Sequence, residues 1–95
     1  MNIGKTIRNI RKEQIGLNQK ELSTELGITQ SYLSQIENGN RVPSMDLIVE
    51  ISKFFEVPTS ILFWFSTDVK DVREEKREAF LMLKPSVDKL INSII

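Results

Sequence analysis

The side chains that could do chemistry in this chain are carboxylates, lysines, arginines, hydroxyls and amides, because it contains neither histidine nor cysteine. Their absence removes the commonest general base, thiol nucleophiles, disulfides and thiolate zinc sites together. No glycine-rich phosphate loop, paired-carboxylate site or nucleophile with its base can be assembled from the remainder. The sequence therefore argues against an enzyme, a metal centre or a cofactor. Glu74, Glu75 and Glu78 form a solvated helix face, with Lys70, Lys76 and Arg77 as helical partners. What the chain does concentrate is uncharged hydrogen-bonding capacity. Within Gln19 to Asn38, QKELSTELGITQSYLSQIEN, amides stand at Gln19, Gln30, Gln35 and Asn38 and hydroxyls at Ser31, Tyr32 and Ser34. Such groups recognise a partner's surface and leave its covalent bonds alone.

The elements that must position these groups follow from caps and apolar spacing. Ile3, Ile7 and Ile10 recur at four and three, predicting a first helix that breaks near Gly16. Asn18 caps a short second helix carrying Leu22 and Leu26, which Gly27 stops. Thr29 caps a third, with Leu33 and Ile36 on its inner side and Gly39 at its end. Ser44 caps a fourth, whose Leu47, Ile48, Ile51, Phe54 and Phe55 form a broad apolar stripe. After Pro58, Thr59 or Ser60 opens a brief helical turn through Ile61, Leu62 and Phe63. The run Phe63-Trp64-Phe65 closes the globular part as core or interface, not as a base-stacking platform. From Asp68 the chain is charged, with a narrow seam at Val69, Val72, Ala79, Phe80 and Leu83. Pro85 is expected to break or kink it before a stripe at Val87, Leu90, Ile91, Ile94 and Ile95. There is no strand-like alternation, so the fold class is all-α, divided into a domain at 1–66 and a C-terminal helical segment at 67–95.

The stretch from Gln19 to Asn38 has the pattern of two helices crossing over a tight turn. Apolar Leu22, Leu26, Ile28, Leu33 and Ile36 fasten it to the first and fourth helices. Ser23 permits close approach, and Gly27 can take the left-handed conformation that the turn demands. The outer face of the third helix is left free to enter a groove of DNA. Ile10-Arg11, Gly16-Leu17-Asn18-Gln19-Lys20-Glu21-Leu22, Ser31 to Gly39 and Pro43-Ser44 resemble the Xre family, the Cro and repressor type of helix-turn-helix domain, over roughly residues 3 to 63. The resemblance implies a five-helix, lambda-repressor-like domain. The interval from Arg11 to Gly16 is one residue longer than the usual family pattern.

The resemblance also implies roles. Gln19 would touch phosphate and brace Gln30, and Gln30 would read a base, an amide being able to bond adenine at both N6 and N7. Ser31 and Gln35 would face the groove, with Tyr32 and Ser34 beside them toward sugar and phosphate. Asn38, Asn40 and Arg41 would meet the backbone from the following loop. Arg11 and Glu37 correspond to a pair that joins the first helix to the end of the third. The expected partners are double-stranded DNA and a second copy held through Val87, Leu90, Ile91 and Ile94, although the same stripe could instead fold back on the core. The alternative function is a protein interaction module, an antitoxin or coactivator-like adaptor using that tail. The amphipathic, charged N-terminus is unlike a secretory signal and no apolar run spans a bilayer, so the expectation is a cytoplasmic protein with no membrane partner. Net charge is zero, and residues 1–41, with six cations against four carboxylates, are only slightly positive. Binding by bulk charge is not indicated.

Overall fold

The computed structural model describes residues 1–94; Ile95, the last member of the tail stripe, lies outside them. Helix α1 runs Ile3–Asn9, capped by the Asn2 side chain, which accepts from the Lys5 amide. It continues directly into a π-helical turn, Ile10–Ile15, in which the Arg11 carbonyl accepts from the amides of Gly16 and Leu17. A π turn takes up one extra residue without ending the helix. The longer interval between Arg11 and Gly16 is thereby absorbed, and Gly16, at φ 74°, turns the chain toward the next helix.

Helix α2, Gln19–Leu26, opens with a reciprocal capping box between Asn18 and Glu21 and closes on Gly27 at φ 68°. Three residues later α3 begins, Gln30–Glu37, with Thr29 Oγ1 accepting from the Tyr32 amide. Helix α4, Met45–Phe55, is capped by Ser44. Helix α5, Thr59–Ser66, is eight residues long, two full turns where the sequence suggested a brief one. Its carbonyl at Ser66 accepts from the Asn2 amide, tying the end of α5 to the start of α1. Ile7, Leu22, Leu33, Ile36, Ile51 and Leu62 are fully buried between these helices, joined by Ile10, Phe55 and Val57. Burial of each such side chain stabilises by about 1.5–3 kcal/mol, more than any cap, so the core sets the arrangement and the caps set where each helix starts.

The C-terminal part departs from the expected break. Two 3₁₀ turns, Val69–Asp71 and Glu74–Lys76, lead into one continuous helix α6, Arg77–Asn92, with Pro85 inside it. Pro85 removes the bond to the Leu81 carbonyl, but both residues lie on the exposed side, where water can replace it. The other side of α6 is clasped by Trp64, on both sides of the proline. Its ring meets Phe80 edge-on at 6.1 Å, Lys84 lies over it at 5.0 Å, and its Nε1 donates to Asp88 Oδ1 at 2.7 Å. The single seam expected from Val69 to Leu83 does not form: Val69, Val72 and Phe80 are half-buried, whereas Ala79 and Leu83 are exposed. At the other end of the chain the Met1 ammonium pairs with Asp71 and Asp68. Hydrogen bonding to Asp71 raises the ammonium's pKa above its ordinary value, and the same contact holds the Asp71 carboxyl below its own. Among the described residues no helix is long and apolar enough to cross a membrane.

Candidate nucleic-acid interface

Helix α3 is two-sided. Leu33, Ile36 and Glu37 are buried against the rest of the domain, while Gln30, Ser31, Gln35 and Asn38 are exposed. Ser31, Gln35 and Asn38 follow at four and three and so share one face, with Gln30 a turn ahead of Ser34 beside it. Ser34 is half-buried and its Oγ accepts from Asn38 Nδ2 at 3.4 Å. Tyr32 is half-buried as well, packed against the core, and Arg41 lies over its ring at 5.2 Å. The Arg41 guanidinium is thus held beside α3 by a cation–π contact.

The loop that carries Asn40 and Arg41 is folded onto the end of α3. Gly39, at φ 80°, lets the amides of Asn40 and Arg41 both return to the Gln35 carbonyl, at 2.8 and 3.2 Å. Carbonyls otherwise orphaned at the helix end are satisfied, and two exposed polar side chains are fixed next to Gln35. All the loop and helix residues singled out in the sequence therefore border one surface, except Gln19.

Gln19 faces inward. Its Nε2 donates to Glu37 Oε1 at 3.1 Å, so the amide is engaged with the ion pair and not with Gln30. A buried carboxylate is a stronger acceptor than a neutral amide, and it wins the donor. Glu37 also accepts from Arg11 Nε and Nη2, each at 2.8 Å, while Arg11 Nη1 donates to the Leu17 carbonyl at 2.9 Å. Arg11 is 6% exposed and Glu37 5%. The Arg11 and Glu37 pair read from the sequence is present, and it links the π turn, the start of α2 and the end of α3 in one network. Among the described residues no buried side-chain polar atom lacks a partner.

A Helix-turn-helix family model matches residues 7–62. The chain belongs to the helix-turn-helix family. Its relatives within that family include the control protein C.BamHI of Bacillus amyloliquefaciens, 36% identical over 64 residues, covering 67% of this chain and 79% of that one. The control protein C.MunI of a Mycoplasma species is 32% identical over 60 residues, covering 63% and 81%. The HTH-type transcriptional regulator ImmR of Bacillus subtilis is 31% identical over 84 residues, covering 88% of this chain and 61% of its own. The chain thus spans most of the two control proteins and less than two thirds of ImmR. No solved structure matches it.

The helix-turn-helix unit depends on a residue that sequence reading passed over. Gly4 lies where α1 crosses the end of α3, and a Cβ there would sit 1.9 Å from the Ile36 carbonyl oxygen. The available signal was an isolated glycine inside an apolar helical pattern, which usually marks close packing. The Thr6 and Ser66 hydroxyls, 3.0 Å apart and buried, are a second such contact, joining α1 to α5.

Proposed function

We propose that this chain is a sequence-specific double-stranded DNA-binding regulator of transcription, acting as a dimer on a near-palindromic operator in the cytoplasm. The observation that carries the reading is the exposed amide and hydroxyl face of α3, Gln30, Ser31 and Gln35, set on a fully buried inner face. A rigidly seated helix presenting neutral donor and acceptor groups suits base edges in the major groove, where each pair displays its own pattern. Residues 1–66 would carry recognition and 67–95 pairing. Asn38, Asn40 and Arg41 would set the register on phosphate, and Tyr32 and Ser34 would support them from the flank. Gln19 serves the buried pair directly and the interface only through it. With two modules on a two-fold axis, half-site centres would lie about 34 Å apart, one turn of DNA.

Two results are expected on an operator obtained by selection. Gln30→Ala lowers affinity by about 1–3 kcal/mol and does so through one base position in each half-site, as titration against single-base variants would reveal. Arg41→Ala weakens all these duplexes alike and flattens the dependence on salt, which is shallow already because few cations border α3. Equal loss on every duplex for Gln30→Ala, or a base-dependent loss for Arg41→Ala, would reverse the assignments. Binding with no preference among duplexes would instead favour the adaptor reading.

A further inference from the structure

We infer that α6 pairs with α6 of a second copy of this chain, antiparallel, about a two-fold axis passing between Ser86 and Val87. The inference rests on the dimeric reading above and specifies its contact. The tail stripe expected from the sequence is divided by the Trp64 clasp. Phe80, Lys84, Val87, Asp88 and Ile91 are all half-buried and form the side turned to the domain. Ala79, Leu83, Ser86, Leu90 and Ile94 follow at four, three, four and four and are all exposed, forming a second line along α6 and the turn after it. Leu83, Leu90 and Ile94 are 61%, 68% and 80% exposed. Of the four residues expected to hold the dimer, Leu90 and Ile94 stand on this free line, and Leu83 joins them.

The order of large and small residues selects the partner and its direction. Reversed about the point between Ser86 and Val87, the line fits itself: Leu83 meets Leu90 of the second copy, and Ala79 meets its Ile94. The large Ile94 then faces the small Ala79 and leucine faces leucine, while Ser86 of each copy lies near the axis, so large and small side chains interdigitate as close packing requires. A parallel pair would instead stack Ala79 on Ala79 and Ile94 on Ile94, a gap at one end and a crowded layer at the other, and would align the two helix dipoles unfavourably. The antiparallel contact is isologous and closes at two copies. Its three large side chains hide on the order of 100 Å² each. Each partner then contributes about 300 Å², well under half of the roughly 800 Å² of a standard interface. The pairing is accordingly weak and concentration-dependent, and two half-sites on one duplex complete it.

Because the native chain has no cysteine, single cysteines can map this contact without background. Under mild oxidation, Ser86→Cys is expected to form a covalent dimer, since its Cα approaches its own mate near the two-fold axis. Leu83→Cys and Leu90→Cys should each stay uncrosslinked alone and crosslink when the two chains are mixed. Leu90→Glu, a change at an exposed position, should weaken self-association at least tenfold in sedimentation equilibrium with an unchanged unfolding transition. Self-crosslinking of Leu90→Cys would overturn the antiparallel order. If the native chain loads two copies on its operator while Ser86→Cys stays uncrosslinked and Leu90→Glu associates normally, the α6 pairing is wrong and the operator reading stands, with the stripe left to another protein or to the chain's own surface. One copy per operator at full affinity would overturn both.

Discussion

Glu37→Ala is expected to lower the stability of the domain by about 3–5 kcal/mol, because it strands a charge that water cannot reach. Arg11 is buried with every guanidinium nitrogen committed, two to Glu37 and one to the Leu17 carbonyl. Without the carboxylate, Nε and Nη2 lose their acceptor and Gln19 loses the bond that holds it inward. Since small domains have only about 5–15 kcal/mol in hand, the variant should show a large drop in its urea midpoint. A loss under 1 kcal/mol would show the pair to be solvated. Stability and orientation can then be separated with the double variant Arg11→Met, Glu37→Leu, since apolar replacement of a buried pair is often neutral or stabilising. That chain should melt close to the native one. It should still bind operator about tenfold more weakly, equivalent to about 1.4 kcal/mol, because nothing ties the π turn and the start of α2 to the end of α3.

Gly4→Ala is expected to cost about 3 kcal/mol, against the direction helix propensity alone would give. Alanine is the better helix former by nearly 1 kcal/mol, so at an open position this change would stabilise. Here the new methyl would lie 1.9 Å from the Ile36 carbonyl oxygen, 2.9 Å from its carbon and 3.3 Å from the Glu37 Cα, all backbone atoms. No side chain can move aside, and α1 must lift from the end of α3, at the upper end of the usual cost of overpacking. The same displacement pulls at the Arg11 and Glu37 pair, so operator affinity should fall along with the melting temperature. An unchanged or raised melting temperature would mean that the two helices do not touch there.

The parts of this fold that were legible in one dimension are those governed by local chemistry. Asn18, Thr29 and Ser44 each cap the helix they precede, and Gly16, Gly27 and Gly39 each take positive φ where a helix ends. The inner and outer faces of α3 followed from Leu33 and Ile36 for the same reason. Features decided by competition between distant groups were not legible. Gln19 can reach two acceptors, and only the packed structure shows Glu37 winning. The extra residue before Gly16 is visible by counting, but its accommodation as a π turn, with Arg11 still aligned on Glu37, appears only in three dimensions. Pro85 reads as a helix breaker until it and Leu81, whose carbonyl loses its donor, are seen on the exposed side of α6 and the Trp64 clasp is seen on both sides of the proline. The C-terminal stripe was recognised as apolar, yet its division into a docked line and a free line depends on where a single tryptophan sits.

The central claim is that the exposed side of α3 chooses the DNA sequence. The most direct test is a pair of selections from random duplexes, one with the native chain and one with Gln30→Ala, sequenced to equal depth. The native chain should enrich a near-palindrome, and the variant should enrich the same one relaxed at a single position, symmetrically in both halves. Identical motifs from the two chains, or none from the native chain, would contradict it.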